Sequence, residues 1–323
     1  MKNEFIVDEC SRLDVFISKK LNFSRNQVEK LIKENGIFVN DVLQKKTSFK
    51  LKLNDKINIK LPEIKNNSAK FAVNFDIEII YEDDDILVLN KPANLVVHGA
   101  DTVKEATLVD WLIEKKYALS NLNGDTRAGL LHRLDKGTSG AIVIAKNNKT
   151  HYFLAKQLLD KSMGRFYLAL IDLPLKDDKM IVEKALVRSN SNRLKKIALK
   201  EGLNVNGMKD AKSAFVNLLS QDGVNLIAAK LFTGRTHQIR AHLESLNRHI
   251  LGDVLYGYKE KNYPRVMLHS YFVYFMHPRK NEQIFVKAPL HNDFIQILEK
   301  IKKKDIDEKT SLAFIESCFN TFS

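Results

Sequence analysis

The sequence predicts an α+β protein with a small N-terminal α+β domain followed by a mixed, mostly antiparallel β-sheet domain with flanking helices. Two observations lead to this fold class. In the first sixty residues, two segments with helical spacing of apolar residues precede short alternating segments. From about residue 75, many short apolar runs of β type occur without the strict alternation of strand and helix that a parallel sheet requires.

Composition limits the class of protein. The chain has 323 residues, of which 44% are hydrophobic, enough for a buried core and about two domains. No apolar run is long enough to span a membrane, and the charged N-terminus lacks a secretory signal, so we expect a cytoplasmic protein without membrane contact. The two cysteines, Cys10 and Cys318, lack the spacing of zinc ligands and imply no disulfide.

The net charge favours a polyanionic partner. Lys and Arg total 52 against 39 Asp and Glu, which gives a charge of +13. Such an excess is typical of proteins that neutralise phosphates, but a generally lysine-rich organism would produce the same balance. Charge alone therefore leaves nucleic acid and plain solubility as alternatives.

The N-terminal domain is expected to span residues 1–62. Its two helices are defined by apolar positions, Leu13, Phe16, Ile17 and Leu21 in the first and Val28, Leu31 and Ile32 in the second. Gly36 ends the second helix. Two alternating runs, 49–53 and 56–61, predict a hairpin joined through Asn54 and Asp55, and residues 63–74 are polar and aperiodic, as in a linker.

Basic residues follow the polar faces of these helices. Candidates for RNA contact are Arg12, Arg25, Lys30 and Lys33. By itself, such a face is equally typical of a solvated helix surface. The segment from residue 12 to about 60, with its initial R-L-D, the S-R that precedes a basic helix and a G-x-x-V-N turn, resembles the S-four-type RNA-binding domain. That resemblance implies that the basic helix pair faces RNA.

Residues 75–291 are expected to form the large domain. Strands are predicted at 77–80, 86–89, 141–145, 165–171, 214–219, 224–231 and 266–275, with helices at 106–119 and after residue 146. A third helix is predicted to start at Thr236 and to present Arg240 near its first turn. Residues 292–323 are expected to be a C-terminal helical extension.

The segment Gly129–Gly140, GLLHRLDKGTSG, carries the strongest chemical signal. It places Asp135 beside the cations Arg133 and Lys136, just before a buried strand. Gly137 and Gly140 permit a tight loop and a close approach of the backbone to a ligand. Taken alone, the segment could also be a surface turn with an ion pair.

The same segment resembles the signature of the RluA-like pseudouridine synthases, H-R-L-D-x-x-T-S-G followed by a short apolar strand. Four further segments match that family in order: YEDDDILVLNKPANLVVH, RFYLAL, LFTGRTHQIRAHLESLNRHILGDVLYG and RVMLHSYFVYFMHP. Asn94 stands where glycine is usual, and asparagine best tolerates a left-handed backbone. Arg165 stands where the family has lysine.

The resemblance implies a set of roles. Asp135 is the essential carboxylate, Tyr167 the active-site tyrosine and Arg240 the cation beside Asp135. Such a carboxylate could add covalently to the anomeric carbon or act as a base on the neighbouring sugar carbon. Without this context, Tyr167 would be read as packing and Arg240 as a surface ion pair.

The remaining predictions concern the residues that contact RNA and the need for a cofactor or a metal. We expect Arg133, His132, Lys136, Ile239, Arg235 and His237 to contact RNA or the flipped base. Isomerisation neither gains a group nor changes oxidation state, so no cofactor is needed. The spacing of His237, His242 and His249 does not suit a metal, and no metal is expected.

We expect the substrate to be specific uridines of large-subunit (23S) ribosomal RNA, because family members with this N-terminal domain mostly act on that RNA. Two alternatives remain, namely the same chemistry on transfer RNA and a non-catalytic RNA-binding ribosome-assembly factor. By analogy with the family we expect a monomer.

Overall fold

The computed structural model describes residues 4–21, 25–59, 69–100, 102–200, 202–260, 262–299 and 301–320. These residues form the predicted α+β architecture, a small N-terminal domain and a large domain on a mixed, mostly antiparallel sheet. Part of the predicted linker, residues 63–68, lies outside the described residues.

The N-terminal domain packs two helices on a small sheet. Its elements are β1 (Glu4–Ile6), β2 (Ser11–Arg12), α1 (Leu13–Leu21), α2 (Arg25–Glu34), β3 (Ile37–Val39), β4 (Val42–Gln44), β5 (Lys50–Leu51) and β6 (Lys56–Asn58). The sheet order is β1-β6-β3-β4, and β2 pairs separately with β5. All seven apolar helix positions predicted from the sequence are buried in this core. Gly36 follows α2 with a φ of +73°, as the stop signal predicts.

The predicted hairpin through Asn54 and Asp55 is wrong. The strand at Lys50–Leu51 pairs with Ser11–Arg12, whereas Lys56–Asn58 pairs with β1 and β3. The Asp55 side chain accepts a hydrogen bond from the backbone of Lys52 at 2.7 Å, which closes a local turn instead. Local alternation cannot reveal that each run has a better partner far away in the sequence.

The large domain is built on nine strands. They are β7 (Glu78–Glu82), β8 (Ile86–Lys91), β9 (Ser139–Ala145), β10 (Gly164–Ile171), β11 (Lys179–Glu183), β14 (Lys212–Gln221), β15 (Val224–Leu231), β16 (Leu268–Met276) and β17 (Gln283–Lys287). The order is β11-β14-β15-β10-β16-β9-β8-β7, and β17 also pairs with β16. A separate antiparallel pair, β12 (Leu186–Arg188) and β13 (Lys196–Ala198), lies outside this sheet. Strands β11, β12, β13 and β17 were not predicted from the sequence.

Strand β16 joins the two halves of the sheet. Its first residues run parallel to β9, at His269 beside Ser139 and Ser270 beside Gly140. Residues Leu268–Tyr274 pair with β10, and Phe272–Met276 pair with β17. Gly140 has a φ of +105°, and a Cβ there would lie 2.3 Å from the carbonyl oxygen of Ser270. The close approach that this glycine permits is therefore to a neighbouring strand, not to a ligand as predicted.

The helices cover the sheet and its ends. They are α3 (Leu108–Glu114), α4 (Asn148–Asp160), α5 (Gln238–Glu244), α6 (Asn292–Leu298), α7 (Lys303–Lys309) and α8 (Leu312–Phe319). Helices α6, α7 and α8 lie within the segment predicted as a C-terminal helical extension, and Phe319 of α8 stacks on Phe166 of β10 with 5.3 Å between ring centroids. Within the described part of the chain, no helix has the length and apolarity to cross a membrane.

Leu122 and Tyr152 of the large domain contact the N-terminal domain. Leu122 belongs to the loop before β9 but is buried within the hydrophobic cluster of the N-terminal domain. The hydroxyl of Tyr152 on α4 donates a hydrogen bond to the carbonyl of Lys20 at 3.3 Å. The apolar contact of Leu122 therefore fixes this loop against the small domain.

Candidate active site

Asp135 lies in the loop that precedes β9, at the centre of the large sheet. Lys91 stabilises this loop. Its buried ammonium donates hydrogen bonds to the carbonyls of Pro92, Leu95 and Lys136 at 2.7, 2.9 and 3.3 Å, respectively. Burial lowers the pKa of Lys91 to about 7, although the charge of Asp135 opposes this effect. Lys91 thus ties the backbone next to Asp135 to the end of β8.

Arg240 lies between two carboxylates. It is the third residue of α5, and its Nε and Nη2 atoms each donate to Asp253 at 2.7 Å. Its Nη1 atom lies 3.4 Å from Oδ2 of Asp135. Burial opposes the charge of the guanidinium, but the hydrogen bonds and charge of Asp253 outweigh it and raise the pKa of Arg240. Asp135 therefore faces a fixed, permanently positive group.

The start of α5 adds a histidine to this cluster. The predicted start at Thr236 is two residues early, because the helix begins at Gln238 and His237 adopts a left-handed conformation with a φ of +59°. This turn brings Nε2 of His237 to 3.7 Å from Asp135, while Nδ1 lies 3.0 Å from the hydroxyl of Tyr256. Burial lowers the pKa of His237, and the charge of Asp135 opposes that change.

Tyr256 supports both groups from behind. Its ring lies 4.7 Å from the Arg240 guanidinium carbon, and its hydroxyl accepts a hydrogen bond from the backbone of Lys196 at 2.8 Å. The ring thereby contributes a cation–π contact to Arg240. It also joins the β12–β13 pair to the site.

Tyr167 lies on β10 and reaches the same cavity. Only 4% of the residue is exposed. Burial raises the pKa of Tyr167, Arg165 opposes this rise and Asp135 adds to it. The hydroxyl is therefore protonated at neutral pH and lies within electrostatic range of both charged groups.

His132 lies in the loop before β9 and contacts that strand. Its Nε2 accepts a hydrogen bond from the backbone nitrogen of Val143 at 3.1 Å, so the proton of the neutral ring lies on Nδ1. Burial lowers the pKa of His132 well below its usual value, and Arg165 adds to this effect. Nδ1 is buried and has no hydrogen-bond partner among the described residues.

These residues line one cavity of about 440 Å³. Seven cations contribute to its wall: Arg127, Arg133, Lys161, Arg165, Lys230, Arg235 and Arg240. Asp135 is the only carboxylate among the described residues that line it, and Ile239 supplies an apolar wall. The cavity is of a size typical of small-ligand sites, and its charge suits an anion such as a nucleotide.

The other predicted RNA contacts lie around this cavity. Arg133 is exposed on its wall, and Nε of Arg235 donates to the carbonyl of Asp210 at 2.9 Å. Lys136 is exposed and forms an ion pair with Glu105 at 2.6 Å. Surface pairs of this kind contribute little to stability, so Lys136 remains available to a phosphate.

The four basic residues of the N-terminal domain that were predicted to contact RNA lie on α2 and just before α1. Arg12 pairs with Asp14 at 2.7 Å, and Lys33 pairs with Glu29 at 2.6 Å. Arg25 and Lys30 lie on α2, and their side chains fall outside the described part of the structure.

The histidines considered for a metal do not converge. Instead, they face separate partners: His237 faces Tyr256, His242 faces Ser213 and His249 faces Asp172. One other group among the described residues, Asp83, Asp85 and His277, has ligand atoms within 4.8 Å of one another. Arg279 donates to Asp85 there at 2.9 Å and supplies the positive charge that a cation would bring.

The site also contains residues that were not assigned roles from the sequence, among them Asp253, Lys91, Tyr256 and Arg165. Asp253 and Lys91 lie in the G-D-x-x-Y-G and K-P segments, which match the family pattern and so carried a signal. Arg165 lies two residues before Tyr167 on β10 and lines the cavity. Its signal was the cation at that position of the K-x-Y motif.

Comparison with known proteins places this geometry in a family. The chain is 51% identical to an RNA pseudouridine synthase of Helicobacter pylori that is described as uncharacterized, over 95% of this chain and 96% of that protein. The chain belongs to the RNA pseudouridine synthase family. The family model for RNA pseudouridylate synthase matches residues 85–245, and that for the S4 domain matches residues 11–57. Members of this family are isomerases that act on RNA.

Other pseudouridine synthases are similar over most of the chain. The ribosomal large subunit pseudouridine synthase D of Zymomonas mobilis is 33% identical over 90% of this chain and 93% of its own length. The structure of human RNA pseudouridylate synthase domain containing 1 superimposes with a TM-score of 0.52 at 21% identity, over 71% of this chain and 95% of that one. The latter similarity shows a shared fold.

Proposed function

We propose that this pseudouridine synthase converts specific uridines of large-subunit ribosomal RNA to pseudouridine, with Asp135 as the catalytic carboxylate. The observation that carries the proposal is the convergence of Asp135, Arg240 and Tyr167 in one cation-lined cavity. The choice of RNA is supported by the S4 domain and by the name of the Zymomonas mobilis relative. We expect this reaction to take place in the cytoplasm. All the groups named here belong to one chain, which agrees with the expected monomer.

Asp135 acts on the ribose of a uridine that has left its helix. Its side chain is 17% exposed, so it is accessible from the cavity yet largely shielded from water. Arg240 stabilises the ionised carboxylate, which either bonds to the anomeric carbon or removes a proton from the neighbouring sugar carbon. Both routes need the same anion in the same position, and both release the base within a closed space.

Tyr167 and Ile239 hold the base. The ring of Tyr167 offers a face on which uracil stacks, and its protonated hydroxyl assists the proton transfer at carbon 5 of the base. Ile239 lies on the cavity wall and excludes water from the base. No metal or organic cofactor is required, because the product is an isomer of the substrate.

The cations around the cavity hold the extruded nucleotide. Arg133 is exposed on the wall beside Asp135, where it takes the place that the uridine leaves or binds its phosphate. The flanking phosphates are bound by Arg235, His237 and Lys136, with His132 at the base of the loop. On the N-terminal domain, Arg12, Arg25, Lys30 and Lys33 supply the more distant contacts. Binding should therefore weaken steeply as salt is raised.

The test is a map of pseudouridines in ribosomal and transfer RNA from cells that lack the protein. Complementing strains would carry wild type, Asp135→Asn or Asp222→Asn. Asp222 is exposed in the turn between β14 and β15 and has a left-handed φ of +52°, which asparagine also tolerates. We expect the loss of one or a few large-subunit sites, with rescue by wild type and Asp222→Asn only.

Other outcomes would change the proposal in defined ways. Loss of sites in transfer RNA alone would move the substrate to that class. Rescue by Asp135→Asn would refute the role of Asp135. Unchanged maps in both RNA pools, together with a ribosome-assembly defect, would favour a non-catalytic role in assembly.

A further inference from the structure

Arg165 is a buried cation that forms no ion pair with the described residues. It is 8% exposed and lies on β10 two residues before Tyr167, so both side chains project from the same face of the sheet. Its Nε atom is buried and has no hydrogen-bond partner among the described residues. The equally buried Arg240 and Arg265 each form two short hydrogen bonds to a carboxylate, from Asp253 and Asp293 respectively.

This difference has an energetic meaning. Burial of a charge without a partner destabilises a folded protein, and removal of such a charge is commonly neutral or stabilising. A destabilising group in a ligand cavity is typical of a residue whose partner arrives with the substrate. Arg165 lines the cavity, and Gly234 lies next to it, since a Cβ at Gly234 would lie 3.5 Å from Nη2 of Arg165.

A second unpartnered donor lies in the same cavity. Nδ1 of His132 carries the ring proton and is also buried without a hydrogen-bond partner among the described residues. The charge of Arg165 reaches both His132 and the Tyr167 hydroxyl. The cavity floor near Tyr167 therefore offers one uncompensated positive charge and one neutral donor, whereas the exposed Arg133 lies at its surface.

We propose that Arg165, assisted by His132, binds the uracil ring and stabilises the negative charge that the ring acquires when it leaves the ribose. The proposal rests on the function proposed above. When the bond between C1′ and N1 breaks, its electron pair remains on the base, which becomes an anion delocalised over N1 and the carbonyl oxygens. The base then rotates and bonds to C1′ through C5, which loses its proton while N1 gains one, so atoms and charge balance.

A base partner fits the position of Arg165 better than a phosphate does. A phosphate stays at the mouth of a site that accepts a flipped nucleotide, where the exposed cations of the wall lie, while the base enters most deeply. A fixed charge in a dry environment stabilises an anion far more than a charge in water does. We expect the uracil to stack on the ring of Tyr167, which lies two residues from Arg165 on the same strand.

The test compares Arg165→Met, Arg165→Lys and Lys303→Met in the full chain. Lys303 is exposed at the start of α7 and serves as the control for loss of one positive charge. Single-turnover isomerisation and RNA affinity are measured on a ribosomal RNA fragment that the wild type modifies. We expect Arg165→Met to slow the single turnover by about 100- to 1,000-fold. RNA affinity should change by less than about 3-fold, and Arg165→Lys should retain most of the rate.

A second measurement separates leaving-group stabilisation from a structural role. Fluorine at C5 makes the uracil anion intrinsically more stable, so a 5-fluorouridine substrate depends less on Arg165 for cleavage of its glycosidic bond. We expect the ratio of wild-type to Arg165→Met rates of substrate consumption to shrink at least about 5-fold with this substrate. The thermal midpoint of Arg165→Met should equal or exceed that of wild type, because an unpaired buried charge is removed.

Results that refute the role of Arg165 can be distinguished from results that refute the proposed function. If wild type modifies RNA and Asp135→Asn does not, but Arg165→Met reacts at the wild-type rate, only the role of Arg165 is refuted. A loss of affinity with an unchanged single-turnover rate would identify a phosphate contact instead. An equal rate ratio for both substrates, together with a lowered thermal midpoint, would show that Arg165 is structural.

Discussion

Arg240 gives two of its three nitrogen atoms to Asp253 at 2.7 Å and leaves the third, Nη1, to Asp135 at 3.4 Å. The tighter pair is the one that does not face the cavity. Asp253 is 1% exposed in its side chain, so it holds the guanidinium plane while Asp135 stays accessible. We infer that Asp253 is a positioning residue for the cation beside the catalytic carboxylate.

Asp253→Asn should therefore reduce catalysis through geometry. The amide keeps the shape of the side chain but loses its charge and presents a donor toward Arg240. We expect the single-turnover rate to fall by about 10- to 100-fold and the free energy of unfolding by about 3 kcal/mol. Asp293→Asn, which alters the pair formed by the buried Arg265 and the partly exposed Asp293, should also lower stability but leave the rate within about 3-fold. Equal losses of rate in both variants would refute a specific role for Asp253.

Tyr167→Phe tests the hydroxyl alone. Its raised pKa keeps the phenol protonated through the neutral and mildly alkaline range, so it serves as a donor there and not as a phenolate base. We expect a fall in the single-turnover rate of about 100-fold, with a similar RNA affinity and thermal midpoint. The control is Tyr271→Phe, a buried tyrosine of β16 whose hydroxyl contacts Thr310 on the C-terminal extension. A wild-type rate for Tyr167→Phe would restrict Tyr167 to stacking.

Local sequence patterns predicted most of the core elements but not all of the strand pairing. The runs at β8, β9, β10 and β15 are apolar on both faces, which signals burial at the centre of a sheet. Strands β11 and β17 each bury a single residue, and β12 and β13 have three residues each, so none of them gives a clear period. Pairing across long sequence distances, as in β2 with β5, depends on tertiary packing.

The roles of Asp135 and Arg240 could be predicted, because each is a charged residue at a defined position of a family motif. Arg165 and Asp253 were harder, because a single charged residue in a strand or turn does not indicate what it faces. Asn94 shows the opposite case. Its left-handed φ of +62° follows directly from asparagine at a position where glycine is usual.

Lys91 makes the stability of the fold depend on pH. The folded pKa of about 7 lies below the usual value of 10.5, so between these limits the unfolded chain binds more protons than the folded one. The free energy of unfolding contributed by Lys91 should therefore increase as pH rises from about 7 to 10, by up to about 1.4 kcal/mol per pH unit. Below pH 7 the lysine is protonated in both states, and its contribution should no longer change.

The comparison that isolates this effect is urea unfolding of wild type and Lys91→Met at pH 6, 7.5 and 9. Other groups titrate in both proteins, so only the difference between the two curves reports on Lys91. We expect wild type to gain stability over the variant between pH 7.5 and 9. Parallel pH profiles would show that Lys91 titrates normally in the folded state.

Leu122 links the RNA-binding domain to the active-site loop. It is 8% exposed within the N-terminal core, and the next residue, Asn123, donates to the carbonyl of Leu130 at 2.7 Å, five residues before Asp135. Leu122→Ala should remove about 2 kcal/mol of packing and loosen the domain contact. Hydrogen exchange in α1 should then accelerate.

The kinetic consequence should depend on the length of the RNA. A ribosomal RNA fragment that contacts both domains should show a rise in KM of about 10-fold with Leu122→Ala, because the two contacts no longer have a fixed spacing. A short stem-loop that fills only the cavity should show little change. Leu194→Ala, at a leucine that is 76% exposed, is the matched control and should alter neither substrate. If exchange in α1 is unchanged and both RNAs lose activity equally, Leu122 acts on the loop alone and the two domains are not coupled through it.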